Sequence, residues 1–183
     1  EPAIRDREPL ENLTPAQVRG ALRFRSLEFF YGDSSKPALT GIDLEIADGE
    51  TVALMGRTGA GKRTLLSLVP RWLNTPEESL ELDGLDVHRL PLATLRGALA
   101  MVPQETFLFS ASLRDNIAFG KPEADELAVR RAAKLAGLDD DLAGFPDGLE
   151  TVGGERGLTL SGGQKQRVAL ARAILCDPKM LLL

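Results

Sequence analysis

The chain has 183 residues, with 22 Lys or Arg against 27 Asp or Glu, a formal net charge of −5 at pH 7. Hydrophobic residues make up 43% and charged residues 27%, the balance of a soluble globular chain long enough to bury a core as one domain. The acidic balance argues against nucleic acid as a partner, the single cysteine excludes an internal disulfide, and no uncharged apolar run approaches the roughly 20 residues of a membrane helix.

Residues 1–20 hold charges, prolines and little periodicity. They read equally as a linker to another domain or as a frayed terminus. No basic, then apolar, then small-residue leader opens the chain, so no signal peptide is expected. From Ala21 the pattern changes. LRFRSLEFFY (22–31) alternates in its first half and is aromatic-rich, which predicts a strand. GDSSKP (32–37) is a turn, and LTGIDLEI (39–46) alternates again through Leu39, Ile42, Leu44 and Ile46. After a turn at Asp48-Gly49, the nearly all-apolar TVALMG (51–56) predicts a strand buried on both faces of a parallel, helix-covered sheet.

A helix is expected over 62–72, broken late by Pro70. Residues 79–90 predict two short strands about a turn at Asp83-Gly84, and 91–99 a helix with Pro91 near its start. AMVPQ (100–104) predicts a short buried strand ending at a loop. The clearest helix spans 124–138, with Leu127, Ala128, Leu135 and Leu138 at helical spacing and Gly137 near its end. A second spans 162–175, with Val168, Ala171 and Leu175 on one stripe, and MLLL (180–183) opens an apolar strand. Cys176 and Trp72 read as packing residues. The single histidine, His88, reads as a surface residue, since no cluster at metal-ligand spacing accompanies it.

Gly56-Arg57-Thr58-Gly59-Ala60-Gly61-Lys62 follows the predicted buried strand and opens the predicted helix, the context of a P-loop. Glycines let the backbone wrap phosphates without a Cβ, and successive N–H groups bind the anion. Lys62 adds a point charge toward the β- and γ-phosphates. A P-loop then calls for Ser or Thr, whose hydroxyl ligates Mg²⁺; here the residue is Arg63, which has no acceptor and stays charged. Thr64 stands one position late. Three readings of Arg63 stand open: a degenerate, weakly catalytic site, a counter-charge partly replacing Mg²⁺, or an altered or erroneous residue.

Downstream, Leu160-Ser161-Gly162-Gly163-Gln164 opens the 162–175 helix, a second helix start suited to an anion. With this motif in place, residues 21–183 resemble the nucleotide-binding domain of an ABC transporter. LSGGQKQRVALARA looks like that family's signature, which in one domain caps ATP held by the P-loop of another. The resemblance implies an α/β fold: a P-loop NTPase core with a mainly parallel sheet, an antiparallel β subdomain on the N-terminal side, and a helical signature subdomain at about residues 105–170.

It also implies ATP with Mg²⁺ as ligands, bound by Gly56 to Thr64, with Tyr31 stacking on adenine. Ser161, Gly162, Gly163 and Gln164 would act in trans. Gln104 would be the Q-loop glutamine that senses Mg²⁺ and water and touches a membrane domain. Residues 153–157, GGERG, resemble the exporter-type X-loop, and EPAIRD resembles the tail after a last membrane helix. The implied partners are a second such domain, in a homo- or heterodimer, and a transmembrane domain, with the chain at the cytoplasmic face of the cell membrane.

In this family the strand that begins MLLL ends in an aspartate followed by a catalytic carboxylate, with a switch histidine further on. None lies in 1–183, so the chain is expected to be a piece of a longer exporter subunit without meaningful ATPase activity alone. An intact signature beside Arg63 also fits the degenerate-site subunit of a heterodimeric exporter. A non-transport ABC ATPase is a weaker alternative, because neither a heptad coiled coil nor a basic linker is present.

Overall fold

The computed structural model describes residues 4–6, 8, 10–154 and 159–183. The chain divides into two compact units, Glu1–Leu99 and Ala100–Leu183.

The first unit is built on four antiparallel strands in the order β2-β1-β3-β4, with β1 Leu22–Phe29, β2 Leu39–Ile46, β3 Leu80–Leu82 and β4 Leu85–Asp86. Leu22, Phe24, Leu27 and Phe29 of β1 are buried, as the alternation predicts. The alternation skips at Ser26, whose positive φ of 41° coincides with a register shift between β1 and β2. Asp43 of β2 holds this bulge by accepting from the Ser26 N–H at 2.7 Å. Helix α1, Lys62–Leu68, and helix α2, Leu92–Gly97, complete the unit. α1 stops before Pro70, and Pro91 caps α2.

The N-terminal segment docks on this unit. Asp83 accepts from the N–H groups of Arg19, Gly20 and Ala21, and Thr94 donates to the Leu13 carbonyl at 2.5 Å. Pro15 lies so close to α2 that a Cβ on Gly97 would meet its ring at 2.8 Å. Arg71 is 1% exposed with φ 52°, and its guanidinium donates to the carbonyls of Val87 and Arg5. His88 is not the surface residue its isolation suggests. Its side chain is 11% exposed, and its Nδ1 lies 2.8 Å from Asp86 Oδ1.

Residues 51–56 depart from expectation. They pair with no strand among the described residues, and Val52 and Met55 are exposed, Met55 at 92%. An apolar run becomes a buried strand only where neighbours satisfy its N–H and C=O groups on both sides. Here no ladder reaches it. The parallel element is the two-stranded β5–β6 sheet, with β5 Leu99–Met101 and β6 Met180–Leu182. The Val102 N–H extends it by donating to the Leu182 carbonyl at 2.9 Å. β5 is half-buried rather than buried.

The second unit packs α3 Leu113–Ala118, α4 Glu126–Leu135, α5 Asp139–Gly144 and α6 Gly162–Leu175 around one apolar cluster. On α6 the predicted stripe is correct: Val168, Ala171 and Leu175 are buried. On α4 it is not. Leu127 and Leu135 are 75% and 62% exposed, while Val129, Ala132, Ala133 and Ala136 face the core. Small residues let a neighbouring helix backbone approach closely, and this alanine face is the one that meets α6.

Asn116, fully buried on α3, ties the preceding loop together. Its Oδ1 accepts from the Phe109 N–H at 2.8 Å, and its Nδ2 donates to the carbonyls of Phe109, Ala111 and Ser112. Asn116→Ala would take the acceptor from the Phe109 N–H and remove one donor from three carbonyls that keep backbone partners. A loss of about 1–3 kcal/mol in urea unfolding is expected, whereas Arg131→Ala, at an exposed position, is expected to change stability by less than about 0.5 kcal/mol.

Candidate nucleotide site

The loop at 56–62 is shaped by its own backbone. Gly59 and Gly61 take φ of 83° and 86°, and the Ala60 N–H donates to the Arg57 carbonyl at 3.1 Å. Gly61 is the N-cap of α1. A Cβ there would sit 2.6 Å from a Leu39 methyl carbon and 3.0 Å from the Ala38 carbonyl oxygen, so only glycine fits. The Lys62 ammonium folds back over the loop, donating to the carbonyls of Gly56 at 2.7 Å and Arg57 at 3.0 Å. Its charge is thus held against the loop that would receive a phosphate chain. Thr58 and Gly59 sit at the exposed turn, and Arg63 is exposed on the first turn of α1.

Tyr31 belongs to the same site. Its hydroxyl lies 2.8 Å from the Thr64 hydroxyl, and its ring stands edge-on to Phe29 with centroids 5.0 Å apart. Half of Tyr31 is exposed (50%), while Thr64 is buried at 8%. The phenol is therefore anchored on α1 while ring surface remains open for a planar partner. The structure brings Tyr31, residues 56–62 and Thr64 together in the first unit.

The other two expected elements lie in the second unit. Gln104 is exposed on the loop after β5. Ser161 caps α6 with a reciprocal capping box: its hydroxyl accepts from the Gln164 N–H at 3.3 Å, and Gln164 Oε1 accepts from the Ser161 N–H at 2.8 Å. Ser161, Gly162 and Gly163 are exposed, and Leu160 is buried beneath them at 4%. Of the expected X-loop, Glu155, Arg156 and Gly157 lie outside the described residues. Gly154 (φ 89°) approaches so closely that a Cβ would meet the Phe109 carbonyl oxygen at 2.9 Å.

Sequence reasoning missed Asp141. This α5 carboxylate accepts from Gln164 Nε2 at 3.0 Å and from Arg167 Nε at 2.7 Å, pinning the first two turns of α6. No local signal marks it, because the partners lie more than twenty residues downstream and Asp141 ends a three-aspartate run. Arg172 was missed for the same reason. It bonds the Asn116 carbonyl at 2.8 Å and lies over the rings of Phe109 and Phe119. Burial lowers its pKa from the ordinary value, an effect opposed by the charge of Cys176. The Cys176 thiol is pushed up by burial, partly opposed by Lys121.

A family model described as ABC transporter matches residues 39–183. The chain belongs to the ABC transporter family. An ATP-dependent lipid A-core flippase of Chromobacterium violaceum is 48% identical over 166 residues, covering 91% of this chain and 28% of that protein. A putative multidrug export ATP-binding/permease protein of Bacillus subtilis is 44% identical over 167 residues, 91% of this chain and 29% of its own length. Among solved structures, a bacterial Atm1-family ABC exporter with ATP bound superposes with a TM-score of 0.87 at 38% identity. That match covers 97% of this chain and 31% of the exporter chain. The chain therefore spans less than a third of the length of these relatives. No helix among the described residues is long and apolar enough to cross a membrane.

Removing the Asp141 carboxylate would free both Gln164 and Arg167. Asp141→Ala is expected to cost about 1.5–3 kcal/mol, the range for hydrogen bonds to a charged group. Amide hydrogen exchange should accelerate at Gln164 and Lys165, whose N–H groups bond to Ser161, while the amides of β1 keep their protection.

Proposed function

We propose that the chain is the ATP-binding part of a membrane exporter, working as one of a pair. The observation that carries this reading is the joining of Tyr31 to the phosphate loop through Thr64, which puts a stacking ring and a folded-over lysine at one site. The adenine lies on Tyr31, and the phosphates lie along the amides of residues 56–62 with Lys62 as their counter-charge. Residues 161–163 are exposed on a capped helix start, suited to meet phosphate held by a second domain rather than by their own. Closing two domains around ATP would place each signature on the partner's nucleotide. Gln104 would pass that closure to a transmembrane domain at the cytoplasmic face. The relatives, a lipid A-core flippase and a putative multidrug export protein, support export as the task.

Phosphoryl transfer relies on positioned charge, and one chain supplies only part of the set. The chain alone therefore binds ATP without turning it over appreciably. The exporter family takes ATP with Mg²⁺, but the residue set here fits that ion poorly. The position for a ligating hydroxyl is Arg63, and the Thr64 hydroxyl is engaged by Tyr31. Export by a degenerate-site subunit of a heterodimer remains the second reading, and Arg63 is the residue that favours it.

Equilibrium titration of ATP tests the site. Lys62→Ala is expected to weaken binding about 10- to 100-fold, the equivalent of one charge-assisted bond. Tyr31→Ala is expected to weaken it several-fold to about tenfold, the value of one ring contact. In sedimentation, ATP is expected to promote a dimer that Ser161→Arg abolishes. Unchanged ATP affinity in Lys62→Ala would overturn the assignment.

A further inference from the structure

We infer that this site takes ATP as the metal-free anion, with Arg63 supplying positive charge where a P-loop ordinarily presents a metal-binding hydroxyl. The inference deepens the nucleotide-site reading and rests on it. Three observations converge. The residue after the loop lysine is a guanidinium, which has five donors, no acceptor and a charge that no physiological pH removes. It cannot ligate a cation, and its charge repels one.

The neighbouring hydroxyl cannot stand in. Thr64 is buried at 8% and its Oγ1 lies 2.8 Å from the Tyr31 hydroxyl, so it is committed to the adenine side of the site. The remaining hydroxyl of the loop, Thr58, sits at the exposed turn ahead of Gly59, away from the first helical turn where the ligating hydroxyl of a P-loop belongs.

What the site does offer is cationic. Lys62 is clamped on the carbonyls of Gly56 and Arg57. Arg63 is exposed on the adjoining turn, with no carboxylate partner among the described residues. A planar guanidinium donates two parallel bonds to phosphate oxygens, so Arg63 bridges neighbouring oxygens of the chain as a cation would. Magnesium complexation removes two negative charges from ATP. The metal-free nucleotide keeps them, and the Lys62–Arg63 pair is matched to that fuller charge.

The test is ATP affinity by calorimetry in Mg²⁺ and in EDTA, for the native chain, Arg63→Ser and Arg63→Lys. The native chain should bind ATP in EDTA at least as tightly as in Mg²⁺. Arg63→Ser restores a hydroxyl at an exposed position, and its affinity should become dependent on Mg²⁺ by about tenfold, the equivalent of one charge-assisted contact. Arg63→Lys keeps the charge and should keep the metal independence. If the native chain needs Mg²⁺ as strongly as Arg63→Ser does, or if both ignore it, the role given to Arg63 is wrong while the nucleotide site stands. If no form binds ATP under either condition, the nucleotide-site reading falls and this one with it.

Discussion

The site depends on one steric constraint: the backbone of Gly61 lies where no side chain fits. With φ at 86° and a would-be Cβ 2.6 Å from Leu39, Gly61 seats the start of α1 directly on the first residue of β2. That seating is itself fixed, because the Ala38 N–H donates to the Phe29 carbonyl at 2.7 Å and so ties the entry of β2 to the end of β1. Tyr31 follows two residues after Phe29. Once α1 is seated, Thr64 comes within 2.8 Å of the Tyr31 hydroxyl. One missing Cβ therefore sets the distance between the ring that would take the base and the loop that would take the phosphates.

The second unit uses capping and charge to the same end. Its helix start at 161–164 keeps its exposed groups in place through a reciprocal capping box, and Asp141 braces the two turns behind it. The glycines there contribute openness rather than unusual geometry: nothing lies within 4 Å of a Cβ built on Gly162. An exposed, capped helix start suits an anion, and the proposed pairing would bring one to it from a second domain.

The sequence carried the local elements well, because period and capping are local properties. The β1 alternation, the turn at Asp83-Gly84 and the α6 stripe all follow from neighbouring residues, while α1 ends at Leu68, short of the expected 72. What failed was what depends on distant partners. The run at 51–56 has the composition of a buried strand, yet no ladder forms on it. On α4 the leucines suggested one face, but Leu127 and Leu135 are exposed while Leu138 is buried beside Val129 and the alanines that permit close approach to α6. At the site, the glycines, Lys62, Arg63 and the Ser161 cap were legible from spacing. The Tyr31–Thr64 bond and the Asp141 brace were not, since each joins residues that only the fold brings together.

The most direct test of the account follows from a peculiarity of composition: Tyr31 is the single tyrosine of the chain. In protein carrying ¹³C only in tyrosine, all ring signals in an NMR spectrum come from the proposed adenine platform. Adding ATP should shift those signals upfield as the base stacks on the ring, with saturation at the affinity measured by calorimetry, and inorganic triphosphate should leave them nearly unmoved. Ring signals that stay in place while ATP binds would contradict the account, because the base would then lie somewhere other than on Tyr31.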